Sequence, residues 1–175
     1  FLLIFFCSAA IYAGGRARII FDTDMGGDYD DVGALAVLNA LADAGECEIL
    51  GAVSSTRHSP ALGMCEIINA HYGRTNVLMG ACREIGVSVG KDMNGVCRIF
   101  KEMVAERRSS LRYPVTEAAG DANEVYRRIL ASQIDGSVTL CTVGFTTNIR
   151  RLLETKGDDI SPLSGRELVA KKVKA

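Results

Sequence analysis

Short apolar runs alternate with stretches of helical periodicity along most of this 175-residue chain. Apolar runs bounded by Gly or polar residues predict buried strands, and apolar residues at helical spacing predict helices. The predicted strands are 17–23, 47–55, 76–81 and 137–144, and the predicted helices are 30–45, 60–73, 96–110, 121–133, 146–157 and 161–174. This alternation predicts an α/β fold, a Rossmann-like open sheet that is mostly parallel and has helices on both faces.

Acidic residues are concentrated directly after the first predicted strand. The segment IIFDTDMGGDYDD spans residues 19–31 and contains Asp22, Asp24, Asp28, Asp30 and Asp31. Ligands of open α/β sheets bind beyond the carboxyl ends of the strands. The segment VGFTTN at 143–148 follows the fourth predicted strand in the same way. We therefore expect these two segments to meet at one edge of the sheet.

The acidic segment has two interpretations. Asp30 and Asp31 stand where the first helix is predicted to begin, so one or two carboxylates could stabilise the helix N-terminus. Five acidic residues exceed that need, and clustered carboxylates repel one another. A hard divalent cation with oxygen ligands would neutralise them, and Gly26 and Gly27 would let the loop turn around it. A metal site is favoured over a solvated acidic loop.

Two common carboxylate designs fit the segment poorly. An EF-hand loop that starts at Asp22 would have Gly26 at position five and Gly33 at position twelve, where oxygen ligands are needed. A haloacid-dehalogenase-type magnesium phosphatase would use Asp22 as its nucleophile, and Asp22-Thr23-Asp24 fits its Asp-x-Asp pattern. That design gives no role to the three later aspartates, and Gly26 replaces its usual Thr or Val.

The stretch DTDMGGDYDDVGAL resembles the N-terminal signature of the inosine-uridine-preferring nucleoside hydrolases, in a version with the spacing of some bacterial members. ILGAVSS, HYGRTNVLMG and VTLCTVGFTTNIRRLL resemble later strands and turns of that family, and SPLSGRELVAKKVK is typical of bacterial relatives. The resemblance covers about residues 17–174. It implies a hydrolase that uses a calcium-bound water to cleave the N-glycosidic bond of ribonucleosides, which gives ribose and free base.

The resemblance also assigns the metal ligands. Asp24 would ligate calcium and accept the proton of the attacking water, and Asp31 would be the second carboxylate ligand. Asp22 would support the site from the first or second shell of the ion. Val143 would offer its backbone carbonyl group. The expected cofactor is therefore Ca²⁺.

Three residues are expected to contact the substrate. The resemblance assigns Asp30 to the ribose and Asn148, in the turn after the fourth strand, to substrate binding. Many family members have an Asn shortly after the second strand, but residues 54–58 read SSTRH. His58 could replace that Asn as a polar contact, and a solvated loop histidine is the alternative.

The first 15 residues, FLLIFFCSAAIYAGG, resemble the apolar core and cleavage region of a secretory signal. We expect an exported bacterial protein, periplasmic or extracellular, with no membrane contact after cleavage; a buried first strand is the alternative. Residues 16–175 then form the N-terminal part of a longer, nucleoside hydrolase-like domain. The later part of the family domain supplies a further calcium-ligating Asp and a leaving-group His, so a non-catalytic fragment is a third hypothesis.

Composition narrows the choice of partners. The formal net charge of −1 gives no bulk attraction to nucleic acid or membranes. The six cysteines are dispersed and form no C-x-x-C pair, which argues against a zinc site. Cys82 and Cys97 could form a disulfide in an exported protein. The expected partner is a ribonucleoside or related riboside, and a homo-oligomer is compatible with the resemblance.

Overall fold

The computed structural model describes residues 15–83, 86–88 and 95–174. In this part of the chain, strands and helices alternate as the sequence predicts. The strands are β1 Ala17–Thr23, β2 Cys47–Ser54, β3 Leu78–Ala81, β4 Gly120–Asp121 and β5 Val138–Thr142. The α-helices are α1 Asp30–Asp43, α2 Ala61–His71, α3 Val96–Glu106, α4 Ala122–Ser132, α5 Thr147–Glu154 and α6 Gly165–Lys172. Short 3-10 helices occupy Arg108–Ser110 and Thr116–Ala118.

The strands form one parallel sheet in the order β4-β3-β2-β1-β5. The chain moves outward from β1 through β2, β3 and β4, and then crosses to the other side of β1 to form β5. The direction of winding therefore reverses beside β1. In open α/β sheets, such a reversal opens a crevice at the carboxyl ends of the strands. The predicted α/β fold class is confirmed.

Each face of the sheet is covered by its own hydrophobic cluster. Successive side chains of a strand point to opposite faces, and β1 shows this with Phe21 and Ile20. Phe21 packs into the cluster that includes Leu35 of α1, Leu62 of α2 and residues of α3. Ile20 packs into the cluster of α4, α5 and α6, which includes Leu152. The end of β1 therefore lies between helices on both sides.

Most predicted helix ends agree with the structure. Gly45 and Gly73 follow α1 and α2 with φ of 80° and 76°, a conformation that favours glycine at a helix end. Asp121 caps α4 as predicted, since its Oδ1 accepts a 2.7 Å hydrogen bond from the Asn123 N–H.

The last predicted helix, 161–174, was placed too early, because α6 begins at Gly165. Pro162 disfavours the helical conformation of the residue before it. Ser164 and Glu167 form a capping box that fixes the start of α6. Strand β4 was not predicted, because two residues carry no periodic pattern.

The predicted helix 96–110 was too long, since α3 ends at Glu106 and a 3-10 helix follows. The predicted helix 146–157 was also too long, since α5 ends at Glu154 and Thr155 is extended. The Thr155 hydroxyl donates to the Leu152 carbonyl at 2.7 Å, so a side chain replaces the next helical bond at this end.

The predicted signal segment lies outside the described residues except for Gly15. Among the helices that the structure describes, none is long and apolar enough to cross a bilayer. Cys82 and Cys97 are buried and are not joined to each other, so the disulfide considered from the sequence is not formed. Cys47 and Cys65 are also buried, and both are free thiols.

Candidate metal and catalytic site

The carboxylate of Asp22 is held from the α4 and α5 face of the sheet. Its side chain is fully buried. The Tyr126 hydroxyl of α4 donates to Asp22 Oδ2 at 2.8 Å, and Asn148 Nδ2 of α5 donates to Oδ1 at 3.2 Å. The backbone carbonyl of Asp22 accepts from the Val143 N–H at 2.9 Å. Asp22 is therefore fixed by three elements that are distant in sequence.

Burial raises the pKa of Asp22 to about 7, although the hydrogen bonds from Tyr126 and Asn148 lower it and the charge of Asp24 raises it further. A nucleophile must reach its substrate, and a fully buried carboxylate with a donor on each oxygen is poorly placed for that. This observation counts against the phosphatase hypothesis, in which Asp22 attacks a phosphoryl group.

Thr23 points to the opposite face and holds Asp31 at the start of α1. The Thr23 hydroxyl donates to Asp31 Oδ1 at 2.5 Å, and both side chains are buried. Thr23 Oγ1 also accepts from the Met25 N–H at 3.2 Å. Burial raises the pKa of Asp31 to about 7, and the charges of Asp24, Asp30 and Asp28 raise it as well. The Thr23 hydrogen bond opposes this rise.

Asp24 is partly exposed at the carboxyl end of β1. Its pKa is raised by burial first and then by the charge of Asp30. The turn after β5 lies directly against it: a Cβ atom added to Gly144 would meet Asp24 Oδ1 at 2.8 Å and would clash with the Asp24 backbone nitrogen. Only glycine lets this turn approach Asp24 so closely.

Asp28, Asp30 and Asp31 bring one carboxylate oxygen each to within 4.8 Å of one another. Asp28 and Asp30 are exposed, and Asp31 is buried. Side-chain hydrogen bonding with Asp30 is the first cause of a raised pKa at Asp28. Tyr29, which precedes α1, makes no side-chain cap bond. These three carboxylates therefore line one place at the N-terminus of α1.

The charges of neighbouring aspartates raise the pKa of Asp22, Asp24, Asp28 and Asp31. Among the described residues, none of the five aspartates of this segment forms an ion pair. Carboxylates in such a group favour a bound cation, which would lower their pKa values. All the side-chain donors are oxygen atoms, which suits calcium or magnesium better than a transition metal. The donor set fits the expected cation. The three carboxylates that converge within 4.8 Å belong to Asp28, Asp30 and Asp31, whereas the resemblance assigns Asp24 and Asp31 as the carboxylate ligands.

The other three predicted site residues, Val143, Asn148 and His58, each make a different contact near the carboxyl end of β1. Val143 follows β5 and meets β1 through its N–H. Asn148 is fully buried and donates to Asp22, so its recorded contact is with the protein. His58 is buried, so it is not a solvated loop histidine. A Cβ atom added to Gly26 would lie 2.6 Å from Cδ2 of the His58 ring. The acidic loop therefore packs on His58.

Two cavities lie away from the acidic segment. One of about 430 Å³ lies at the amino-terminal ends of β2 and β3, and one of about 600 Å³ lies between α2 and the 3-10 helix Arg108–Ser110. None of the five aspartates lines either cavity. The candidate site is therefore identified by the concentration of carboxylates at the carboxyl end of β1, and not by the volume of a cavity.

Sequence reasoning missed two residues of the site, Tyr126 and Thr23. Thr23 lies within the segment DTDMGG. Because successive side chains of a strand point to opposite faces, the sequence could have placed Thr23 on the face of the sheet opposite Asp22. Tyr126 is 104 residues from Asp22. Its sequence signal is weak, since a tyrosine in an amphipathic helix is usually a core residue.

The sequence matches no protein-family model, and no curated protein matches it.

Proposed function

We propose that this chain belongs to a calcium-dependent hydrolase that cleaves the N-glycosidic bond of ribonucleosides or related ribosides. The observation that carries the proposal is the concentration of five aspartates at the end of β1, three of which bring carboxylate oxygens to within 4.8 Å of one another. Among the described residues, none of the five forms an ion pair. The reversal of winding beside β1 puts them where α/β proteins bind ligands.

The proposed roles follow from the position of each aspartate and from the exposure of its side chain. Asp31 and Asp24 hold the ion, Asp28 is well placed to join them, and Asp22 fixes the end of β1 from below. The ion, when bound, supplies a Lewis acid that orients water and the ribose hydroxyl groups and makes the water more acidic.

Three steps belong to the chain's own carboxylates. Asp24 is partly exposed and can accept a proton from water. Asp30 is exposed and can accept hydrogen bonds from ribose hydroxyl groups. The negative charge of the group also stabilises the positive charge that develops on the sugar as the glycosidic bond breaks.

The first test is calcium binding. Thermal unfolding is followed in calcium and in EGTA for the parent protein and for Asp31→Asn. A ligand that binds only the folded protein raises its melting temperature, so we expect calcium to raise the Tm of the parent and to have little effect on Asp31→Asn. Asp159→Asn, which changes an exposed carboxylate far from the site, should respond like the parent. No calcium effect on the parent would refute the proposal.

The second test is chemistry. Release of reducing sugar from inosine and uridine is measured in calcium and in EGTA. Asp24→Asn should lower the rate about 10²-fold or more, the range expected for loss of a general base, and Asp159→Asn should leave it unchanged. Calcium binding without ribose release would support a non-catalytic binding protein, and a magnesium-dependent phosphoenzyme at Asp22 would support the phosphatase.

A further inference from the structure

The hydroxyl group of Tyr126 connects the α4 face of the protein to the acidic segment. Tyr126 is fully buried, and its O–H donates to Asp22 Oδ2 at 2.8 Å. Asn148 donates to the other oxygen of the same carboxylate. Because the two donors come from different helices, they fix both the position of the Asp22 carboxylate and the rotation of its plane.

The helix that carries Tyr126 is itself tightly seated on the sheet. A Cβ atom on Gly80 of β3 would lie 2.9 Å from the Ala122 Cα and 2.8 Å from a methyl group of Val125, so α4 meets β3 almost backbone to backbone. The Tyr126 ring packs in the cluster that contains Ile20. Close packing of this kind leaves the hydroxyl little freedom to move.

Asp22 in turn is coupled to the proposed calcium ligands. It lies on β1 two residues before Asp24, which follows the strand, and the charge of Asp24 raises the pKa of Asp22. Its carbonyl group binds the Val143 N–H at the start of the turn whose Gly144 touches Asp24. A change in the position of the Asp22 carboxylate is therefore expected to alter the surroundings of Asp24 in two ways, through the charge of Asp22 and through the backbone contacts of the turn.

Building on the proposed function, we propose that Tyr126 is a positioning residue of the calcium site, which acts by holding Asp22 and touches neither calcium nor substrate. Without the tyrosine hydroxyl, Asp22 Oδ2 loses its recorded partner in a site that water does not reach. A buried carboxylate without that donor must rotate toward another partner. A cation held by Asp24 would offer the freed carboxylate a new partner, so the arrangement of the ligands would change.

A purely structural role is the competing explanation, because any buried tyrosine hydroxyl needs an acceptor. The two explanations differ in one measurable quantity. Loss of a structural hydrogen bond lowers the Tm in EGTA and leaves the calcium dissociation constant unchanged. Loss of a positioning contact also weakens calcium binding.

The test is calorimetric titration of the folded protein with calcium chloride for the parent, Tyr126→Phe and Tyr113→Phe. Tyr113 is a matched control, since its hydroxyl makes no hydrogen bond within the described part of the chain. We expect Tyr126→Phe to raise the calcium Kd about tenfold or more, as for loss of a hydrogen bond to a charged group. Tyr113→Phe should bind calcium like the parent.

Equal calcium affinity of Tyr126→Phe and the parent, with a lower Tm in EGTA, would overturn the positioning role and leave the proposed function intact. A parent protein that binds no calcium would overturn both. If Tyr126→Phe is unfolded at the assay temperature, Asn148→Ala removes the second donor to the same carboxylate. An unchanged calcium Kd in Asn148→Ala would then also overturn the role.

A double-mutant cycle tests the route. In the Asp22→Asn background, Tyr126→Phe should add little to the loss of calcium affinity, because the tyrosine acts through the carboxylate. A full tenfold effect that persists in that background would show that Tyr126 acts by another path, and would overturn the proposal.

Discussion

The two hydroxyl contacts at the end of β1 show how single residues control buried charge. Thr23 and Tyr126 donate to Asp31 and Asp22 on opposite faces of the sheet. Burial raises the pKa of each carboxylate, and the hydrogen bond from the hydroxyl group lowers it. Neither donor carries a charge, so these two hydrogen bonds leave the negative charge of the ionised carboxylates unneutralised.

Thr23→Val tests the first contact. The change keeps the shape of the side chain and removes the donor to Asp31, so a buried acceptor loses its partner. We expect a loss of about 1–3 kcal/mol in the free energy of unfolding, measured in urea with EGTA present. Thr139→Val, at an exposed position of β5, is the matched control and should change stability by less than about 0.5 kcal/mol. Equal effects in the two variants would contradict the assigned role.

Stability in EGTA should depend on pH in a defined direction. The pKa values of Asp22 and Asp31 rise from 3.8 to about 7 on folding. The folded protein then binds more protons than the unfolded chain between those values, so these groups lower stability as the pH rises from about 4 to about 7. Urea unfolding at successive pH values measures the slope.

Asp31→Asn cannot titrate at that position, so its slope over the same pH range should be smaller than that of the parent. Saturating calcium should likewise reduce the loss of stability toward pH 7, because the ion favours the ionised carboxylates. An identical slope for the parent and Asp31→Asn in EGTA would contradict the raised pKa of Asp31.

Elements meet at this site through close backbone contact as well as through side chains. The turn from β5 to α5 reaches Asp24 only because Gly144 has no Cβ atom. Helix α1 begins at the same place, and its first turn carries Asp30 and Asp31. The N-terminal end of a helix stabilises negative charge. The architecture thus brings a strand end, a turn and a helix start to one group of carboxylates.

Gly144→Ala should disturb this junction. The added methyl group would clash with the Asp24 backbone, so the turn must move away from β1. We expect lower stability and a weaker calcium effect on the Tm. Gly33→Ala is the matched control, because a Cβ there meets nothing within 4 Å on α1. That variant should gain about 0.5–1 kcal/mol, as alanine is the better helix former. Normal calcium stabilisation in Gly144→Ala would contradict the contact.

At the scale of the whole molecule, Arg127 joins α4 to the connection between α5 and α6. Its side chain is 2% exposed. The guanidinium makes two hydrogen bonds to Asp158, at 2.8 and 2.7 Å, and also reaches Thr155 and the carbonyl groups of Ser161 and Leu163. Arg127 holds the pKa of Asp158 at about 2. One side chain thus holds the connection between α5 and α6 on α4.

Arg127→Met should destabilise the protein by more than about 2 kcal/mol, because several charge-assisted hydrogen bonds are lost and backbone acceptors are left unpaired. Arg150→Met breaks only the exposed pair with Glu154 on α5 and should cost about 0.3–0.5 kcal/mol. Urea unfolding of both variants measures the difference. A similar small loss in both would show that Arg127 is not the anchor that its contacts indicate.

Most of the strand and helix order could be predicted from the sequence, because hydrophobic periodicity and the residues that end helices are local signals. Buried strands read as apolar runs, and Gly45 and Gly73 mark helix ends through their own backbone freedom. The concentration of acidic residues after the first strand was equally visible. Its place at a strand end followed from the parallel α/β pattern. Local rules failed at β4 and at the start of α6, where pairing or a capping box decides the boundary.

The residues that hold the carboxylates became apparent only in the folded chain. Tyr126 reaches Asp22 across 104 residues, and Gly144 touches Asp24 because β5 returns beside β1. Substrate binding by Asn148 stays a prediction, and the contact of its Nδ2 with Asp22 is one that the sequence did not indicate. The physical reason is that side-chain partners depend on strand order and on which face a residue occupies. Both are set when the whole sheet assembles, and no local pattern records them.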